Sequence, residues 1–229
     1  MSRPLIIAID GPAGAGKSTI ARRIASRVGA IYIDTGAMYR AIALWAIRSQ
    51  IPLDDSHRVE VLARNAQIQF NPGDNRVLLN GEDIADLIRT PEVATAASLV
   101  AALPAVRRVM VDLQRDIASH SSIVMEGRDI GSVVFPDADI KIYLDASSDI
   151  RARRRADDLL AQSIPFDLDA LTRQIEERDF RDRNRAASPL MQALDATYLD
   201  SSNLSVVEVE DAILKIIRAK TSNGKELVH

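Results

Sequence analysis

The sequence predicts an α/β protein with a five-stranded parallel sheet, helices on both faces and two insertions. Three observations carry this. Five short apolar runs, at residues 5–9, 30–33, 122–125, 140–145 and 197–200, alternate with helical patterns, the texture of a parallel sheet buried on both sides. A glycine loop follows the first run directly. The alternation then breaks twice, at a turn-rich stretch near residues 63–95 and an arginine-rich helical stretch near residues 149–186.

The first run, Leu5-Ile6-Ile7-Ala8-Ile9, is apolar throughout, as a strand covered on both faces should be. It leads into Gly11-Pro12-Ala13-Gly14-Ala15-Gly16-Lys17-Ser18-Thr19, which fits G-x-x-x-x-G-K-[ST], the phosphate loop of nucleoside-triphosphate enzymes. Its glycines let the backbone approach an anion closely and turn successive N–H groups inward. A helix beginning near Lys17 adds its positive end. Lys17 then reaches the β- and γ-phosphates, and the Ser18 hydroxyl is the expected Mg²⁺ ligand. Ile20, Ala21, Ile24, Ala25 and Val28 recur at helical spacing, and Gly29 sits at the C-cap position.

The second strand ends at Asp34-Thr35-Gly36, and a helix over about 37–49 follows, with Trp45 in its packing face. Thr35, Tyr39 and Arg40 lie just past a strand end, where open α/β sheets bind ligands; a half-exposed helix face explains Tyr39 and Arg40 equally well. Asp54 or Asp55 caps a helix to about residue 65. Gln67-Ile68-Gln69-Phe70 and Val77-Leu78-Leu79 read as a β-hairpin around the turn Asn71-Pro72-Gly73-Asp74-Asn75, with Asn80-Gly81 as a second turn. Thr90-Pro91 starts a helix, and Leu103-Pro104 breaks and restarts it to about residue 119. Arg107 and Arg108 fall in the first turn of that second helix, the wrong end for cations, which hints at an anionic or polar partner, though solvated Arg is common.

The third and fourth strands end in Glu126-Gly127-Arg128-Asp129 and in Asp145, charged residues at the rim where chemistry is expected. Two helices follow, separated by Ile164-Pro165-Phe166-Asp167, the second running to about residue 186. The chain has 24 Arg against 5 Lys, and nine of those Arg lie between Arg151 and Arg185, where uniform placement would give about four. Arg178, Asp182 and Arg185 share one helix face. They suit either a solvated ion-pair ladder or, beside a phosphate loop, a lid that closes over transferring phosphates, which the clustering favours. After the fifth strand, Ser205 caps a last helix to about residue 219, and residues 220–229 read as a polar, frayed tail. His57, His120 and His229 carry no assigned chemistry.

At 229 residues the chain can bury one core with small additions. Without cysteine it has no disulfide, thiolate catalysis or zinc–thiolate site. A net charge of −3 argues against general nucleic-acid binding, and no run is long and apolar enough to span a bilayer. With no signal-peptide pattern, a cytoplasmic protein is expected.

A phosphate loop with two inserts is the plan of a small-substrate kinase. The chain resembles bacterial cytidylate kinases, of the phosphate-loop nucleoside monophosphate kinase family. The resemblance rests on the loop itself, Asp34-Thr35-Gly36-Ala37-Met38-Tyr39-Arg40, Gly81-Glu82-Asp83-Ile84, Ile88-Arg89-Thr90-Pro91-Glu92-Val93 and Glu126-Gly127-Arg128-Asp129-Ile130-Gly131. It continues in Val134-Phe135-Pro136-Asp137-Ala138, Lys141-Ile142-Tyr143-Leu144-Asp145-Ala146-Ser147 and Arg178-Asp179-Phe180-Arg181-Asp182-Arg183-Asn184-Arg185. It implies a core over 1–62, 96–148 and 187–229, a monophosphate-binding insert with the hairpin over 63–95, and a helical lid with a CMP-contacting helix over 149–186.

The implied activity is ATP-dependent phosphorylation of CMP and dCMP to CDP and dCDP by in-line γ-phosphoryl transfer, with Mg²⁺. ATP would lie on residues 11–19 of the loop. Thr35, Tyr39, Arg40, Ser98, Arg107, Arg128, Asp129, Arg178, Asp182 and Arg185 would surround CMP. Lys17, Arg128, Arg151, Arg154 and Arg185 would act on the transferring group, and Asp34 would assist Mg²⁺ through water. The family often has Ser where this chain has Thr35, which keeps the hydroxyl, and Gly where it has Ser18, which adds a direct metal ligand. ATP and CMP or dCMP are the expected partners of a monomer, without nucleic acid or membrane. Among kinases for other small acceptors, one for shikimate or dephospho-coenzyme A fits the hairpin and the 178–185 block poorly, while one for a different monophosphate stays open; a GTPase switch or nucleotide-dependent binding module would need an N-K-x-D motif that is absent.

Overall fold

The structure, a computed structural model, describes residues 3–71, 76–161, 163–185 and 187–222. Strand β1 (Ile6–Asp10) runs into the glycine loop, and α1 (Lys17–Val28) starts from Gly16 and stops at Gly29, whose N–H donates back to the Ala25 carbonyl. β2 (Ile31–Asp34) passes straight into α2 (Thr35–Arg48), because the Asp34 carboxylate caps the helix by accepting from the Ala37 N–H. The helix therefore opens two residues before its expected start, taking in Thr35. Of the two candidate caps for α3 (Ser56–Asn65), Asp55 is the one used.

The hairpin is present as antiparallel β3 (Ile68–Phe70) and β4 (Val77–Leu79), while residues 72–75 of its expected turn lie outside the described residues. Asn80 and Gly81, at φ of 51° and 84°, turn the chain into β5 (Glu82–Asp83), a third strand. Hydrophobic patterning misses β5 because both residues are acidic and exposed. Thr90 caps α4 (Pro91–Val100), and α5 (Pro104–Ala118) restarts at the expected proline.

β6 (Ile123–Gly127) leads through a helical turn, Ile130–Val134, to β7 (Ile140–Asp145). The arginine-rich helices are α6 (Ser148–Ala161) and α7 (Leu168–Asn184), and the expected end of the second at Ala186 lies outside the described residues. β8 (Thr197–Asp200) precedes α8 (Val206–Ser222), which opens with a capping box between Ser205 and Glu208. α8 runs past its expected end near residue 219; the rest of the expected tail, 223–229, lies outside the described residues. His57 and His120 are exposed, and His229 is outside the described residues.

The main sheet is parallel, in the order β2-β6-β1-β7-β8. Alternate residues feed two cores. Ala8, Ile33, Ile123 and Met125 face a cluster that includes residues of α2 to α5, with Trp45 packed against it. Ile7, Ile9, Tyr32, Val124, Ile140, Ile142 and Leu144 face a cluster with α1 and α8. Burying each such aliphatic side chain contributes about 1.5–3 kcal/mol, so the continuous apolar runs stabilise the sheet from both sides. The register sets Asp10 beside Gly127 and Asp34 beside Glu126, which gathers the charged strand ends at one rim. Among the described residues no single helix is long and apolar enough to cross a membrane.

Candidate active site

The glycine loop leaves β1 between β6 and β7, at the carboxyl rim of the sheet. Gly11 has φ 148°, and a Cβ there would stand 1.9 Å from the Leu144 carbonyl oxygen, so only glycine lets the loop pass β7. Lys17 is buried at the start of α1 and its Nζ donates to the Pro12 carbonyl at 2.7 Å. Burial, and then the Arg128 charge, bring its ammonium down to about 7.

Glu126, at the end of β6, is buried and accepts from the Tyr32 hydroxyl at 2.6 Å. Burial and the neighbouring Asp34 charge push its carboxyl up, while the Ser18 hydroxyl and Lys17 act the other way. Ser18 and Asp34 thus bring further hard oxygen donors close to Glu126. Such donors fit Mg²⁺, which takes few protein ligands and retains waters and phosphate oxygens. Asp34 also pairs with Arg40 at 2.9 Å.

Arg151 and Arg154 do not stand free over the loop as an open lid would hold them. Arg151 is buried, and donates to the carbonyls of Ala146 at 2.8 Å and Ala13 at 3.1 Å and to Asp179 at 2.6 Å. Arg154 reaches the Ala15 carbonyl at 3.3 Å and the Ser201 carbonyl at 2.7 Å, and burial lowers its pKa. Both arginines therefore grip the phosphate loop from α6.

On the other side of Lys17 the structure brings together most of the predicted acceptor residues. Thr35 donates to the Glu126 carbonyl at 2.6 Å, which leaves its hydroxyl lone pairs as acceptors. Arg107 forms a buried ion pair with Asp129, donates to the Ala101 carbonyl at 3.2 Å, and lies 5.7 Å from the Tyr39 ring centroid. The anionic or polar partner hinted at for Arg107 at a helix start is thus Asp129. Burial raises the Tyr39 hydroxyl to about 12.

Asp182 pairs with Arg128 at 3.0 Å, not with its helix neighbours Arg178 and Arg185, so that face is not an intrahelical ladder. Burial works to raise the Asp182 carboxyl, but Arg128, Arg178 and Arg185 outweigh it and hold it below the usual aspartate range. Ser98 is half-buried on α4, and Arg108 is exposed.

The electrostatics of this cluster are one-sided. Burial, followed by the Arg128 charge, brings the Arg178 guanidinium down to about 10, and burial with Arg107 lowers Arg185. Arg40 Nε, Arg107 Nε, Arg178 Nε and Arg185 Nη2 are buried with no partner among the described residues. Buried donors rarely lack partners, and crowded cations with free N–H groups make a receptor for an anion.

Sequence reasoning passed over three buried carboxylates here: Asp10, Asp179 and the role of Glu126. The signal that could have found them is a charge closing an otherwise apolar strand or interrupting an arginine-rich helix face.

A family model described as cytidylate kinase matches residues 7–219. A cytidylate kinase of Solibacter usitatus (strain Ellin6076) is 55% identical, covering 97% of this chain and 96% of that protein. One of Pelotomaculum thermopropionicum (strain DSM 13744 / JCM 10971 / SI) is 49% identical, covering 96% of each. Among solved structures, an uncharacterized protein from Eubacterium ventriosum ATCC 27560 shares the fold, with a TM-score of 0.53 at 12% identity over 94% of this chain and 99% of that one.

Proposed function

The chain belongs to the cytidylate kinase family, and from that premise we propose that it transfers the γ-phosphoryl group of ATP to CMP and dCMP, giving CDP and dCDP, as a cytoplasmic monomer. One observation carries the assignment of the acceptor side: the buried Arg107–Asp129 pair beside guanidinium nitrogens that have no partner among the described residues. Cytosine offers an exocyclic amine and, next to it, acceptors at its ring nitrogen and carbonyl. Asp129 and Thr35 accept from the amine, and the free Nε of Arg107 donates to the acceptors, with Ser98 and Tyr39 completing the wall. Uracil would set a carbonyl against the Asp129 carboxylate, and a site built around a buried polar group rejects such a mismatch.

The same reading gives the monophosphate to Arg40, Arg128 and Arg185, and the ribose hydroxyls to Asp182 supported by Arg178. ATP lies on residues 11–19, with Lys17 at its β- and γ-phosphates. Residues 63–95 serve as the acceptor insert and 149–186 as the lid, on a core of 1–62, 96–148 and 187–229.

No general base is required. The second pKa of a phosphate monoester is about 6, so the acceptor is largely a dianion at neutral pH and its oxygen is already nucleophilic. Catalysis is then alignment for in-line attack and neutralisation of charge on the transferring group. Lys17, Arg128 and Arg185 supply positive charge from within the site. Arg151 and Arg154 already hold the Ala13 and Ala15 carbonyls and reach phosphates on that loop by side-chain rotation. Mg²⁺, held by Ser18 with Asp34 through water and Glu126 nearby, would add neutralising charge on the triphosphate.

Asp129→Ala tests the assignment. Its KM for CMP is expected to rise at least about tenfold while that for ATP changes less than about threefold, in steady-state kinetics with each substrate varied. Equal effects on both would give Asp129 to the metal or the fold instead.

A further inference from the structure

Asp10 closes β1 one residue before the glycine loop and is 5% exposed. Its two carboxylate oxygens do separate work: Oδ1 accepts from the Ile130 N–H at 2.8 Å and Oδ2 from the Gly131 N–H at 2.7 Å. Those amides follow directly on Arg128 and Asp129. We propose that Asp10 is a positioning residue for the acceptor site, clamping the loop that carries Arg128 and Asp129 against the strand that carries the donor loop. The inference rests on the acceptor reading given above.

The neighbouring contacts make this clamp the fixed point of the loop. The β1–β6 register sets Asp10 beside Gly127, the residue preceding Arg128. Arg128 and Asp129 are each held from a different element, by Asp182 of α7 and Arg107 of α5. Those two partners are themselves assigned to the nucleotide, so they offer no independent reference. Asp10 touches neither base nor phosphate in this scheme and can hold the loop while its partners engage substrate. Gly131 fits closely: a Cβ there would meet Lys141 Cδ at 3.1 Å and Asp10 Oδ2 at 3.4 Å. Lys141 is pinned behind it by Asp195 at 2.8 Å and by the Pro136 carbonyl.

The residue type supports the role. Two N–H groups aimed at one side chain need two acceptors, which an ionised aspartate supplies. Asparagine supplies one acceptor and an NH₂ that would face an N–H. Keeping that charge is costly, because burial raises the Asp10 carboxyl to about 6 against the help of the two amides, with Asp129 adding to the rise and Lys17 opposing it. A buried charge of this kind is a poor device for stability alone.

The test compares Asp10→Asn with the wild type in steady-state kinetics and thermal denaturation. The KM for CMP is expected to rise at least about tenfold, as a sub-ångström to 1 Å displacement of recognition groups does, with the KM for ATP within about threefold. The preference for CMP over UMP should narrow in parallel. Should Asp10→Asn fail to fold, Gly131→Ala, whose added Cβ would press on the middle of the Lys141 side chain and on Asp10 Oδ2, must show the same split in smaller measure. Equal changes for both substrates, or none, would overturn the inference while leaving the parent reading intact. A wild type without CMP-dependent ADP release would overturn both.

Discussion

At the residue scale, Gly11 shows how closely the glycine loop is built into the sheet. Its φ of 148° and the 1.9 Å gap between an added Cβ and the Leu144 carbonyl leave no room for alanine without moving β7 or the loop. Gly11→Ala is expected to lower unfolding stability by about 3 kcal/mol or more in urea titration, since backbone strain and a backbone clash combine. A change below about 0.5 kcal/mol would mean that the loop relaxes freely.

The glycines, Lys17 and Ser18 were legible because their chemistry is local. A partner for Arg107 was hinted at by its place in the first turn of a helix, as it was for the exposed Arg108, but not the identity of Asp129. That partner is brought in by β6, and no local pattern encodes a pairing set by sheet register. Asp10 is harder still. Its own strand looks purely apolar up to that position, and its partners are backbone amides of a loop across the sheet.

At the element scale, the main helices and strands followed from periodicity, caps and breakers: Gly29, Asp55, Thr90-Pro91 and Leu103-Pro104 end or start helices where expected. β5 did not, because its two acidic residues carry no hydrophobic signal and pairing with β4 alone defines it. How α8 seats against α1 was equally invisible. Glu210 of α8 is buried and accepts from Arg27 at 2.8 Å and from Arg23, both on α1. The hydrogen bond from Arg27 is the largest cause holding its carboxyl below the ordinary value of 4.5. A carboxyl depressed by folding adds stability that is present above the unfolded value and lost as pH falls through the folded one. Glu210→Gln is therefore expected to melt roughly 2–4 °C below wild type near neutral pH. In thermal scans across pH the gap should close below 4.5. A pH-independent gap would mean that packing, not charge, accounts for the effect.

At the scale of the whole molecule, the sheet order sets β1 between β6 and β7, so one rim receives the glycine loop and the loop carrying Arg128 and Asp129 together. Helices α6 and α7 then link the two sides. Arg151 of α6 holds the Ala13 carbonyl and Asp179, and Asp179 lies on the helix that carries Arg178 and Asp182. The fold class and the arginine clustering were legible in the sequence. The inward turn of Arg151 and Arg154 was not, because a count of arginines says nothing about which carbonyls they find.

At this rim, phosphate is proposed to pass from ATP to a cytidine monophosphate. ADP release by the wild-type chain, measured by a coupled assay with ATP and each of CMP, dCMP, UMP, AMP and shikimate, tests it most directly. ADP release with CMP and dCMP is expected to run well above that with the other three. Equal release with all five, or none that depends on CMP, would contradict it.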